Sequence, residues 1–111
     1  MSGISTHVLD TAKGVPAQGV RVSLERGSNG AWTRLADAVT GDGGRVAQLL
    51  PAGESLAAGS YRLTFFTAEY FREQASFYPE IDIIFEVHDT SAHYHIPLLL
   101  SPYGYTTYRG S

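Results

Sequence analysis

Hydrophobic positions along this chain recur at alternate residues. In VRVSLE, Val20, Val22 and Leu24 fall on one side while Arg21, Ser23 and Glu25 fall on the other, the alternation of a half-buried strand. Stretches rich in turn-forming residues punctuate the short runs: AKGVPAQG, RGSNGA, TGDGGR, PAGESLAAGS and HDTSAH. Between them the pattern predicts strands over 5–10, 19–26, 32–39, 45–50, 61–66, 83–87, 93–100 and 103–109. Short strands at regular spacing with such turns predict an all-β domain, an antiparallel β-sandwich. TAEYFREQA is the one helical interruption. Thr67 as its N-cap would set Ala68, Phe71 and Ala75 on a common face.

HYHIPLLL carries more information than the other runs. Alternation turns His93, His95, Pro97 and Leu99 one way, and Tyr94, Ile96, Leu98 and Leu100 the other. The second set is apolar or aromatic throughout and should face the core. The first set begins polar and becomes apolar, so its far end needs cover as well. In a domain of two layers, that cover is expected from another subunit.

Composition narrows the functions open to the chain. Its 111 residues form a single domain, 1–111, of ordinary size. Eight Lys and Arg against eleven Asp and Glu give a net charge of −3 with no basic cluster. A nucleic-acid partner is therefore not expected, since such binding depends on neutralising phosphates. The absence of cysteine excludes disulfides, thiol nucleophiles and Cys-ligated zinc, and suits a reducing compartment. MSGISTHVLD has no basic patch followed by an apolar run, and the chain ends Arg-Gly-Ser rather than Ser-Lys-Leu. No apolar run is long enough for a membrane span. A soluble, cytoplasmic protein is the expectation.

Four polar residues stand out against this pattern. His7 lies in THVLD, on the face of Leu9 and opposite Val8; His95 lies on the two-faced strand. Tyr108 shares a face of the last predicted strand with Thr106, and Arg45 opens a strand after the tight GDGG turn. A lone strand histidine is more often a surface or satisfied residue, and a lone arginine at a strand start is usually solvated. GDGG lacks the Lys-Ser/Thr of a phosphate loop and precedes a strand, so it reads as a hairpin turn. His93 and His95, two apart, face one side as metal ligands must, and His7 could supply a third. Against zinc, no carboxylate stands near these histidines to orient them. His88 sits at a turn and reads as surface.

STHVLDTAKGVPAQGVRVSL at the front and HYHIPLLLSPYGYTTYRGS at the back resemble the 5-hydroxyisourate hydrolases, the transthyretin-related enzymes of purine breakdown. The resemblance covers essentially the whole chain, and the Tyr-Arg-Gly-Ser end is its most specific part. Transthyretin shares the VLD and LLSPY stretches but lacks the histidines and that end. The resemblance implies a transthyretin-like antiparallel β-sandwich with one short helix, assembled as a homotetramer. It implies active sites in a channel where two dimers meet, lined by the first strand and the two C-terminal ones. Matched by motif, His7, Arg45, His95 and Tyr108 would be the catalytic residues. His7, Arg45, Tyr108 and Ser111 would bind substrate, with Arg109 and Gly110 completing the signature. No metal or cofactor is implied.

The implied reaction adds water to a cyclic amide carbonyl of 5-hydroxyisourate, giving 2-oxo-4-hydroxy-4-carboxy-5-ureidoimidazoline. Histidine, with a pKa of about 6.5, can act as base or acid near neutrality. Two imidazoles in one cleft can divide those duties, and which one is the base is open from spacing. Arg45 offers several donors to an electron-rich ring or a developing oxyanion, and the Tyr108 phenol can hold a ring heteroatom. Two other readings compete: a channel that carries an aromatic ligand unchanged, as transthyretin carries thyroid hormone, and a structural or adhesion sandwich.

Overall fold

The computed structural model describes residues 2–111. Its elements, in order, are β1 (Gly3–Asp10), β2 (Val15–Pro16), β3 (Arg21–Ser28), β4 (Ala31–Val39), β5 (Arg45–Val46), β6 (Gly59–Phe65), α1 (Thr67–Phe71), β7 (Ile81–Val87), β8 (His93–Ser101) and β9 (Gly104–Thr107). They form two sheets, β2-β1-β8-β9 with β5 also paired to β1, and β4-β3-β6-β7. Pairing is antiparallel except between β1 and β8, which run parallel with Ser5 opposite His95 and His7 opposite Pro97.

The alternation in the sequence becomes the layer order. Ile4 and Val8 of β1 and Tyr94, Ile96, Leu98 and Leu100 of β8 are buried from one sheet, facing Val22, Leu24, Tyr61, Leu63 and Phe65 from the other. Each such side chain contributes roughly 1.5–3 kcal/mol by leaving water. Tyr61 brings a hydroxyl into this core and satisfies it locally, accepting from Ala57 N at 3.0 Å and donating to Ala57 O at 2.9 Å.

Three elements depart from the sequence expectation. The strand expected over 45–50 pairs only at Arg45–Val46, because Gln48 interrupts the ladder with its side chain. Its Oε1 accepts from Ile4 N and from Leu50 N, both at 3.1 Å. The helix is a single turn. Thr67 is its first residue rather than its cap, with Oγ1 donating to Tyr78 O, and Phe66 at the N-cap makes no side-chain bond. Arg72 leaves helical geometry at φ 54, so Ala75 lies outside the helix and is exposed. The last strand stops at Thr107, before Tyr108 and Arg109, and the tail returns to β8 by a bridge between Gly110 and His95.

That bridge also revises the two-faced strand. Pro97 is buried and Leu99 half-buried in the single chain. A Cβ on Gly110 would stand 3.2 Å from Pro97 Cγ, so part of the cover comes from the chain's own tail rather than from another subunit.

One buried carboxylate ties the far end of β1 to α1. Asp10 Oδ1 accepts from Ala12 N at 3.1 Å and Lys13 N at 3.0 Å, and Oδ2 accepts from the Tyr70 hydroxyl at 2.7 Å. Burial, then Asp10, pushes the Tyr70 phenol up to about 12. Tyr70→Phe is expected to remove about 2 kcal/mol, the worth of a hydrogen bond to a charged acceptor. Thermal melting should show it as a fall in Tm of roughly 10 °C.

Candidate active site

Register, rather than any single motif, assembles the polar cluster. In β1 the residues alternating with the buried Ile4, Thr6 and Val8 are Ser5, His7 and Leu9, and these share the outer sheet face with His93, His95, Pro97 and Leu99 of β8. On the other edge of β1, Arg45 pairs with His7. The TGDGG turn delivers it there. Gly44 N donates to Gly41 O at 2.9 Å, Gly41 N to Arg45 O at 3.1 Å, and Val8 N to Gly44 O at 2.8 Å. Gly44, at φ 73, lies so close to β1 that a Cβ would fall 2.4 Å from Val8 O.

The result is an open hollow of about 320 Å³ lined by Ser5, Arg45, His93, His95 and Ser111 among others. His7 stands beside it, half-buried and paired with Arg45. Ser5 is nearly buried, and its Oγ lies 2.8 Å from His93 Nε2 and 2.7 Å from His95 Nδ1. The two histidines that alternate as metal ligands would therefore turn one nitrogen each toward a shared hydroxyl. Gly110 closes the other edge of the His95 ring. Its N donates to His95 O at 2.8 Å, and a Cβ there would stand 2.5 Å from His95 Cδ2. With Nδ1 taken by Ser5, Nε2 is the ring nitrogen available to a substrate. Burial, then the charges of His7, Arg45 and His93, hold the His95 pKa below its ordinary value. In His95 the charged form is thus disfavoured, with the permanent cation of Arg45 nearby.

Tyr108 is not brought into this hollow. It is 56 % exposed and lines a second, mainly apolar opening of about 260 Å³ between β7 and the tail, with Ile83, Phe85 and Tyr94. His95 borders both spaces. Arg109 turns away from the hollow to lie 4.5 Å over the Tyr94 ring, which leaves its guanidinium in a cation–π contact.

Sequence reasoning missed Ser5 and the closeness of Gly110, and weighed His93 only as a metal ligand. Ser5 was within reach of the alternation that placed His7, since it stands two residues earlier on the same strand face. Gly110 gave no such signal, because its role depends on the tail folding back over His95.

Together the two sheets and the hollow define a β-sandwich with an imidazole–guanidinium site on one outer sheet face. The chain belongs to the HIUase/Transthyretin family, whose model matches residues 4–110. It is 47 % identical to the 5-hydroxyisourate hydrolase of Deinococcus radiodurans over 114 residues, spanning 98 % of this chain and 96 % of that one. Among solved structures, the 5-hydroxyisourate hydrolase of Klebsiella pneumoniae superimposes with a TM-score of 0.85 at 39 % identity, covering 99 % of this chain and all of that one. Sea bream transthyretin in complex with thyroxine matches with a TM-score of 0.88 at 32 % identity, covering 96 % of this chain and 93 % of that one.

Proposed function

We propose that this chain is a 5-hydroxyisourate hydrolase of urate degradation, opening the substrate's cyclic amide by metal-free acid–base catalysis. The observation that carries the reading is that Arg45 and His95, whose charged form is disfavoured, line one water-accessible hollow, with His7 beside it in register with Arg45. Its relatives in bacteria and mouse are named for this activity.

In this mechanism His95 Nε2 takes a proton from water as the oxygen attacks the carbonyl. Arg45 orients the ring and stabilises the charge that develops on the carbonyl oxygen. The proton then passes to the leaving nitrogen as the carbon–nitrogen bond breaks, so the cycle consumes only water. His7, paired with Arg45, binds substrate and serves as the second imidazole. Ser111 lies in the hollow's lining and is proposed to bind the substrate's polar edge. Tyr108, across His95, is proposed to bound the far side of the bound ring.

The reading extends to a homotetramer with sites where dimers meet. Tyr103, Tyr105 and Tyr108 are exposed near the C-terminus, and Leu99 is only half-covered on the site's own sheet face, so docking against other copies would bury aromatic and aliphatic surface. A single domain working without a cofactor, in the cytoplasm, completes the proposal. No helix among the described residues is long and apolar enough to cross a membrane.

The test generates 5-hydroxyisourate from urate with uricase and follows its ultraviolet decay. Acceleration by this protein is expected. Saturable binding without acceleration would favour a carrier instead. Within the same assay, Gly110→Ala should lower kcat by about tenfold or more, because the new methyl displaces the His95 ring from its working position. Circular dichroism should still show a cooperatively folded sandwich.

A further inference from the structure

Ser5, His93 and His95 form a connected chain of polar groups running from the hollow to the exposed start of β8. Ser5 Oγ is within hydrogen-bond reach of both rings, yet a serine hydroxyl carries one proton and can donate to only one of them. Two arrangements of neutral rings satisfy both contacts. In one, His95 Nδ1–H donates to Ser5, Ser5 donates to His93 Nε2, and His95 Nε2 is a base. In the other, every bond is reversed and His95 Nε2 carries a proton. Moving between them needs no side-chain rearrangement: the two shared protons slide along bonds that already exist as one proton arrives at His95 Nε2 and one leaves His93 Nδ1.

The surroundings give that shift a purpose. A proton arriving on His95 would create an imidazolium in a half-buried position, facing His7 from β1, Arg45 from β5 and His93 from its own strand. The tail segment packed against the ring presents only Gly110. His93 is exposed, so water can solvate the same charge there at far lower cost.

We infer that Ser5 is a proton-relay residue, which passes the Nδ1 proton of His95 to His93 as Nε2 takes a proton from the attacking water. This rests on the hydrolase reading above and deepens it. In the forward step the water O–H bond breaks and His95 Nε2–H forms. His95 Nδ1–H breaks as Ser5 Oγ–H forms, and the former Ser5 proton moves to His93 Nε2. His95 and Ser5 end neutral, and the positive charge lies on His93 at the rim. His95 now holds a proton on Nε2, ready for the leaving nitrogen. When it is delivered, the relay runs backward and His93 returns to neutral.

The test compares kcat and its buffer dependence for the wild type, Ser5→Ala, Ser5→Thr, His93→Gln and the double variant. Ser5→Ala and His93→Gln should each lower kcat by roughly 10–100-fold, and the double variant should lose no more than the worse single. Ser5→Thr, which keeps the hydroxyl, should recover most of the rate. With the relay cut, protons must leave through the medium, so kcat of Ser5→Ala should rise with buffer concentration while wild type stays flat. His93→Gln alters an exposed residue and guards against a folding artefact. If the wild type accelerates the decay and His93→Gln matches it, the relay is wrong and the hydrolase reading survives. If the wild type itself does nothing, the hydrolase reading falls and takes the relay with it.

Discussion

His95→Gln is expected to lower kcat for 5-hydroxyisourate hydrolysis by roughly 10²–10⁴-fold, the usual worth of a positioned acid–base group. KM should change less, since Arg45 remains to hold the substrate. Stopped-flow absorbance decay measures both. The pH profile gives the sharper check. Burial, then His7, Arg45 and His93, lower the His95 pKa, so the neutral base survives below the ordinary histidine value of about 6.5. The acidic limb of kcat/KM should therefore lie below that value in the wild type and vanish in His95→Gln. Arg45→Gln removes one of the opposing charges, so the limb should move upward in pH as the rate falls. A limb unmoved by loss of Arg45 would contradict the electrostatic account. Stability follows the same sign: the unfolded chain takes up the proton first as pH falls through about 6.5, so the contribution of His95 to stability declines only on the acid side.

Gly44→Ala is expected to be the most damaging backbone substitution. The added Cβ would meet Val8 O at 2.4 Å and Ala17 N at 3.1 Å, two atoms already hydrogen-bonded to each other at 2.9 Å. Both are backbone, so neither can swing aside. With φ at 73, a left-handed strain adds to the collision, for a total of roughly 3–5 kcal/mol. Thermal denaturation should show Tm lower by on the order of 15–25 °C. Gly14→Ala is the control: it shares the positive φ, at 72, but has open space around it, so it should cost only about 1 kcal/mol. Equal losses in the two variants would sink the crowding argument. Because Gly44 delivers Arg45 to His7, any folded Gly44→Ala protein should also hydrolyse poorly.

The candidate site was partly legible because a strand converts sequence parity into direction. His7 and His95 could be placed on strand faces from their neighbours alone, and Arg45 was marked by the turn before it. The cluster they form was not visible in that way. It depends on β1 and β8 running side by side in parallel, a pairing between segments some 90 residues apart (the Ser5–His95 bond spans 90) that no local pattern specifies. Tyr108 shows the opposite error. Alternation carried it along the last strand with Thr106, but the ladder ends at Thr107, and beyond that end parity says nothing about direction. The helix was misjudged for a similar reason. Thr67 has the chemistry of a cap, and its hydroxyl found the carbonyl of Tyr78 instead.

By itself the sequence determined the two-layer β architecture, its core and the chemical types at the site, because alternation and turn chemistry act over a few residues and need no partner. Tertiary structure alone decided that Ser5 lies between two imidazoles, that Gly110 closes on His95, and that Tyr108 stands apart. Those outcomes depend on strand register and on the path of the tail, which are settled by packing between segments distant in the chain.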